Sequence, residues 1–540
     1  MNVVVVGGTG GFGLSICRML LADGHAVTAV GRDRTRGETA ARTVDGLRFL
    51  AMDRREIGTH ILDGLATEIV VDASGPFQGL EPRLAEAAME AGVHYVDIAD
   101  DRSYVARIRG LDTDARERRL VVVSGASSVP ALSSAVAIDL SRGLRRVDRV
   151  DVSISASSQA AFGTSVLASM LSGAGRPIRH SGSASGVGMM EYRQVSFSSG
   201  RHRLTRHVLS CDVPDHDELA PLLPGAPDVR FRAGSELPVH NWTMWLVALL
   251  VRKGLLSDAT RIMPLARIGR RVMLGSGDGR SAMKVEVRGD DGEGGVLHEW
   301  TLVATGGHGP TIPCLVVPEI VNMIARNEIG PGARSAAGLV ETSAILARMP
   351  EGSIATTVER SRPVPLYARI MGERFQRLDP AVRKMHDDPW ITKACGRATV
   401  TASTSPLARL ICRLVGFPPA SSDLPVAVTF ERLGAEEKWT RQFGRHTFQS
   451  RLSQSSGELL ERFGPLCFRF SLEEKDGAIA MIHRGWTAFG IRMPRRLGPS
   501  GTAVESGKGE LFTFDVPISL PLLGEVVRYR GWLQAAITRK

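Results

Sequence analysis

Residues 3–13 read Val3-Val4-Val5-Val6-Gly7-Gly8-Thr9-Gly10-Gly11-Phe12-Gly13, and an amphipathic run from Leu14 to Leu21 follows. Four consecutive valines predict a buried strand, the glycines a turn, and the periodic run a helix. Gly8, Gly10 and Gly13 satisfy G-x-G-x-x-G in the setting that gives the pattern physical meaning. It provides a tight turn, close backbone approach to a pyrophosphate, and close packing of helix on strand. The spacing predicts a dinucleotide site with Gly8, Thr9, Gly10, Gly11, Phe12 and Gly13 around the phosphates.

The second strand, Ala26 to Val30, bears on which dinucleotide. An NAD site places a carboxylate at the end of this strand to hold the ribose 2′-hydroxyl. Here Gly31 occupies that place and Arg32 follows, with Arg34 and Arg36 nearby. A guanidinium fork suits a 2′-phosphate better than a neutral diol, so NADP is expected in preference to NAD. The plainer alternative is a structural turn beside a solvated arginine. Against it, strand, turn, helix and second strand all agree.

Strand and helix patterns continue to alternate through residue 125, as in a doubly wound, Rossmann-type parallel sheet. Strands are expected at Leu47–Met52, Glu68–Asp72, His94–Ile98 and Leu120–Ser124. Helices are expected at Thr35–Ala41, Glu81–Ala91 and Asp112–Arg119. Ligands in such sheets lie beyond the carboxyl ends of the strands. Asp53 should then meet the adenine edge, while Ala73–Phe77, Asp97–Asp101 and Ser124–Pro130 converge on the nicotinamide end. Ser74, Gly75, Pro76, Phe77 and Ser124 are the expected contacts there.

The turn GGTGGFG, DASGPF at Asp72–Phe77, YVDIADD at Tyr95–Asp101 and SGASSVPALSSAVA at Ser124–Ala137 resemble the NADP-binding domain of saccharopine dehydrogenase-like oxidoreductases. The likeness extends over about residues 1–350, with Gly163-Thr164 before a helix and Gly306–Pro313 similar to a G-x-H-G-P element of bacterial members. It implies an oxidoreductase acting on a small-molecule or lipid-like substrate. One departure is plain: members usually carry glycine–glutamate after the fifth-strand aspartate, and this chain has Asp100-Asp101. A further stretch, WTRQFGRHTFQS at Trp439–Ser450, resembles a bacterial domain of unknown function found fused behind such domains.

Past residue 148 the pattern changes. Strands are expected at Val150–Ala156, Arg280–Arg288 and Leu297–Ala304, the last two joined by a Gly/Asp-rich turn. A helix is expected at Gln159–Leu171, a Ser/Gly-rich loop at Ser172–Gly188, and helical segments at Glu319–Arg326 and Gly338–Met349. The expected division is a nucleotide domain at 1–148, an α+β substrate domain at 149–350 whose last helices return to the first domain, a proline-marked linker at 351–366, and a β-rich domain at 367–540. In the last, strands are expected at Val426–Leu433, Lys438–Phe443, Thr447–Leu452, Leu466–Leu472 and Ala478–Trp486.

Composition narrows the function classes. With 43% hydrophobic and 23% charged residues among 540, the chain can bury several cores. Its six cysteines form no C-x-x-C pair, so no metal site or disulfide framework is expected, and a cytoplasmic setting is. The longest apolar run, Trp242–Val251, is too short to span a bilayer. Residues 361–540 hold 27 Lys and Arg against 17 Asp and Glu, while the rest of the chain is balanced. No nucleic-acid reader pattern accompanies that charge; an anionic ligand, a lipid headgroup or the first domain fits it better.

For chemistry, no Tyr-x-x-x-Lys pair exists, and none of the strand-end segments supplies a cysteine. Asp97 is the best-placed acid–base group if burial raises its pKa, and His308 is the second. The alternatives are that Asp97 caps a turn and His308 orders its loop. The chain as a whole has two readings. One is an NADP-dependent oxidoreductase acting on a carbonyl, imine or enoyl compound. The other is a non-catalytic NADP-binding protein whose last domain binds a partner or membrane surface. Both leave room for a homodimer.

Overall fold

Buried apolar runs set the first sheet. Its strands are β1 (Asn2–Val6), β2 (Ala26–Gly31), β3 (Arg48–Ala51), β4 (Ile69–Asp72), β5 (His94–Asp97) and β6 (Val121–Ser124). All pair in parallel. Continuous Val/Ile runs such as Val3–Val6 and Ile69–Val71 belong in a parallel sheet buried on both faces. The computed structural model describes residues 1–157, 171–179, 185–259, 277–387, 390–415, 417–433, 436–488 and 490–535. The expected Gln159–Leu171 helix and its Gly163-Thr164 start fall almost wholly outside them.

After β6 the chain builds a second sheet from β7 (Arg146–Ala156), β10 (Tyr192–Ser199), β11 (His202–Ser210), β12 (Asp228–Ser235), β13 (Ser281–Asp290) and β14 (Gly295–Ala304). A short pair, β8 (Pro177–Arg179) and β9 (Ser185–Val187), occupies part of what reads as a Ser/Gly loop. The chain then returns. β15 (Gly332–Ser335) adds in parallel to β6, giving the order β15-β6-β5-β4-β1-β2-β3. The switch point lies between β1 and β4, where such folds bind ligands.

Helix Val316–Ala325 lies against α1 (Gly11–Ala22). Asn322 bonds His25 and Asp23 at 2.8 Å each, and Arg348 pairs with Asp23 at 2.9 Å. The linker expectation at 351–366 needs correction. β16 (Ile354–Ser361) pairs antiparallel with β14 along its whole length, so the irregular stretch that holds Pro363 and Pro365 is only residues 362–365, before the helix Leu366–Met371. The 148/149 boundary likewise falls inside β7, which runs unbroken across it.

The chain divides into two compact units, Met1–Ser361 and Arg362–Lys540. The second is a ten-stranded antiparallel barrel. Strands β17 (Ile391–Ala402), β18 (Ser421–Leu433), β19 (Glu436–Phe443), β20 (His446–Ser455), β21 (Glu458–Phe463), β22 (Leu466–Lys475) and β23 (Ala478–Ala488) follow one another. β24 (Ile491–Met493) hangs on β23 outside the ring, and β25 (Thr502–Lys508), β26 (Leu511–Leu520) and β27 (Gly524–Ala535) bring the chain back to β17. Its interior is aromatic: the His386 ring stacks on Tyr367 at 3.9 Å and lies 5.8 Å from Trp439. Among the described residues, no helix is long and apolar enough to cross a membrane.

Candidate functional site

The glycine turn explains itself sterically. Gly7 has φ +77°, and a Cβ on it would lie 2.8 Å from the Ala73 carbonyl oxygen. A Cβ on Gly13 would lie 2.2 Å from the Gly7 carbonyl oxygen, so only glycine lets α1 start this close to β1. Gly10 occupies the helix N-cap and brings no side chain to it. The first-turn amides of α1, at Gly11, Phe12 and Gly13, therefore keep the positive end of a helix for an anion. This cradle fits a dinucleotide pyrophosphate.

At the ribose side, Gly31 closes β2. A Cβ there would meet Thr9 Oγ1 at 2.6 Å, so any side chain at the strand end, a carboxylate included, requires the buried threonine to shift. The Arg32 side chain is 80% exposed, with Nη1 4.0 Å from Asp53 Oδ2. Asp53 accepts from the Arg55 amide at 3.0 Å and so caps a short turn as well as facing Arg32. Between α1 and α2 (Arg34–Thr43) lies a cleft of about 420 Å³, lined by Thr9, Leu14, Asp33, Thr35, Arg36 and Thr39 among others. Arg36 thus stands in the cleft wall.

At the other end of the crevice Asp72 and Asp97 are register partners on β4 and β5, both fully buried. Asp72 accepts from the Ser74 amide at 2.9 Å, the Ser74 hydroxyl at 2.6 Å and Arg54 at 3.0 Å. Asp97 Oδ1 accepts from the Ser124 hydroxyl, the Gly125 amide and the Ala99 amide, all at 2.9 Å. Asp97 Oδ2 finds no hydrogen-bond partner among the described residues. Burial pushes the Asp97 carboxyl up to about 7, against the lowering effect of its three donors. The residue ties the loops after β5 and β6 into one rim.

Two expected contacts are corrected by burial. The Ser124 hydroxyl is spent on Asp97, inside the protein. Phe77 packs in the core with its ring 5.0 Å from that of Tyr104. Ser74 and Gly75, half-buried, and Pro76, exposed, form the open edge of the same loop.

His308 arrives from 300 residues away. Its amide bonds the Thr305 carbonyl at 3.1 Å, and it precedes the turn Gly309–Cys314. Cys314 Sγ lies 3.5 Å from the Phe12 carbonyl oxygen, which fixes this loop beside the glycine turn. A Cβ on Gly309 would fall 2.1 Å from Ser281 Oγ, so that glycine allows the loop to seat on β13. His308 is half-buried, and no hydrogen bond joins it to Asp97.

Asp101, at the departure from the family pattern, caps the next helix through the Tyr104 amide at 2.8 Å, and Asp100 accepts from Gln78 at 3.1 Å. Sequence reasoning missed two features. Asp215, fully buried, accepts from Ser133 at 3.0 Å, and burial pushes it up to about 7. On the second sheet Asp151 is ringed by Arg149 at 2.6 Å, Arg232 at 2.7 Å and Arg193 at 3.4 Å, which hold its carboxyl well below the usual range. The alternation Val150-Asp151-Val152-Ser153 carried that signal, since its polar set faces inward too. Among the described residues no three metal-binding side chains converge.

This fold and cradle are those of a NAD(P)-dependent oxidoreductase. Residues 3–123 match the family model of the saccharopine dehydrogenase NADP binding domain, and residues 378–533 match a domain of unknown function, DUF4166. Among solved structures, the chain is similar to saccharopine dehydrogenase (L-Glu forming) from Saccharomyces cerevisiae. Identity is 11%, over 67% of this chain and 100% of that one, with a TM-score of 0.46. It is also similar to GenD2 from gentamicin A biosynthesis, crystallised with NAD. There identity is 17%, over 55% of this chain and 71% of that one, with a TM-score of 0.29. No curated protein matches the chain.

Proposed function

We propose that the protein transfers hydride between NADP and a carbonyl, imine or enoyl carbon of a small or lipid-like molecule. The observation that carries NADP over NAD is the end of β2, where glycine stands against Thr9 in place of a carboxylate and Arg32 follows at once. The α1 amides hold the pyrophosphate, and Arg32, with Arg36 in the cleft wall, holds the 2′-phosphate. When bound, the nicotinamide supplies or accepts the hydride. Ser74, Gly75 and Pro76 edge the ring. Asp97 is a positioning residue that keeps the two strand-end loops in place. His308, half-buried on a loop anchored to the glycine turn, moves the proton.

Arg32→Ala should weaken NADPH binding by ~1.5–3 kcal/mol, the range for a hydrogen bond to a charged group, and leave NADH nearly unchanged. Cofactor fluorescence titration reads both dissociation constants. Equal losses would remove the basis for NADP. Consumption of NADPH with a panel of carbonyl, imine and enoyl compounds tests for turnover.

A further inference from the structure

Strands of an up-and-down barrel alternate in direction, so every second connection lies at the same end. In the second unit these are residues 403–420, 444–445, 464–465, 489–501 and 521–523. Among the described side chains they carry five arginines (Arg409, Arg445, Arg492, Arg495, Arg496) and no aspartate or glutamate. The first carboxylates inside the flanking strands include Asp423, Glu461 and Glu525, which pair with Arg397, Arg441 and Arg528. The opposite end differs. Its turns include Asp476 and Glu510, and the preceding helical segment closes it through Asp379, whose amide bonds the Gly477 carbonyl at 2.9 Å.

The same arginine-rich end exposes aliphatic side chains. Leu407 and Leu410 project from helix Pro406–Val415, Ile491 from β24 and Leu497 from the turn after it, and Leu522 from the tip of the β26–β27 turn. These are five of the eight large apolar side chains exposed among the described residues of this unit. Leu522 is fully exposed at φ +65°, a left-handed backbone that a leucine rarely adopts. The helix seats on the start of β27, with Cys412 Sγ 4.0 Å from the Val526 carbonyl oxygen, so its leucines share a rim with Leu522.

We propose that this end of the barrel docks on an anionic phospholipid bilayer, the aliphatic tips entering the acyl boundary and the arginines pairing with headgroup phosphates. Both halves of the chemistry are needed for that occupant. A nucleic acid would use the arginines and leave five aliphatic side chains in water. A second copy would bring these five arginines against five more. The net excess of cations in residues 361–540 points the same way.

The test is co-sedimentation of the full chain with vesicles of phosphatidylcholine alone and with about a third phosphatidylglycerol. Binding should require the anionic lipid and weaken as salt rises. The triple variant Arg492→Glu, Arg495→Glu, Arg496→Glu should lower the partition constant about a hundredfold, at about fivefold per arginine. Leu522→Asp should lower it about tenfold. On the unaltered protein, vesicles should slow amide exchange at 490–498 and 520–524, a readout that needs no variant to fold. No binding to anionic vesicles overturns the proposal, as does binding that the charge reversals leave intact. So does a surface on which Leu522→Asp has no effect and heparin competes fully, since that marks a general polyanion site.

Discussion

Gly31 and Thr9 meet in one close contact at the end of β2, where the proposed cofactor preference is set. Gly31→Asp, the change that would create an NAD-type strand end, places a Cβ 2.6 Å from Thr9 Oγ1. It should cost about 1–3 kcal/mol of stability and weaken both cofactors. Adding Thr9→Ala relieves the clash, and preference should then move toward NADH; melting temperature and the two dissociation constants check each step. Asp97 gives a pH signature. Its folded pKa is raised to about 7 from an ordinary 3.8, so between those values the native state holds a proton that the unfolded chain has released. Stability from this group is therefore full in acid and falls as pH rises through about 7. Asp97→Asn cannot titrate, so the melting-temperature difference, wild type minus variant, should shrink from pH 5 to pH 8. A constant difference would mean the carboxyl titrates alike in both states.

At the level of elements, legibility followed burial geometry. β1, β2 and β4 are covered on both faces, so apolar runs announce them, and the β13–β14 hairpin declares itself through its Gly/Asp turn. β15 is four residues, Gly-Ala-Arg-Ser, and takes its place only because β6 offers an edge. β17 hides behind Gly396 in its middle, which reads as a break. In the barrel a Cβ there would be 1.9 Å from the Trp532 carbonyl oxygen, so the glycine marks the tight seam with β27. Within the site, the phosphate cradle follows from the glycine spacing. The burial of Ser124 and Phe77 depends on tertiary packing that no local pattern records. β16 offers a direct test. A fragment ending at residue 350 strips the edge of β14 and should melt lower and aggregate. A fragment ending at 361 should keep both its fold and NADPH binding. Equal behaviour of the two would show β16 to be dispensable.

For the whole molecule, two units with separate hydrophobic cores predict two unfolding transitions. Saturating NADPH should raise only the one belonging to residues 1–361, since a ligand stabilises the unit that binds it. Calorimetry with and without cofactor reads this, and a single transition that shifts as one would show the barrel to be energetically part of the nucleotide-binding unit. The return of β15 to β6 also orders events in time. The nucleotide sheet is not complete when its six leading strands have left the ribosome, because its last strand is encoded some two hundred residues downstream. At ordinary synthesis rates of roughly 5–20 residues per second, β6 waits about 10–40 s with one edge unpaired. During that interval the nascent chain presents a sticky border to chaperones and to neighbouring chains. Synonymous codons that slow translation between residues 124 and 335 should therefore lower soluble yield without changing a single residue.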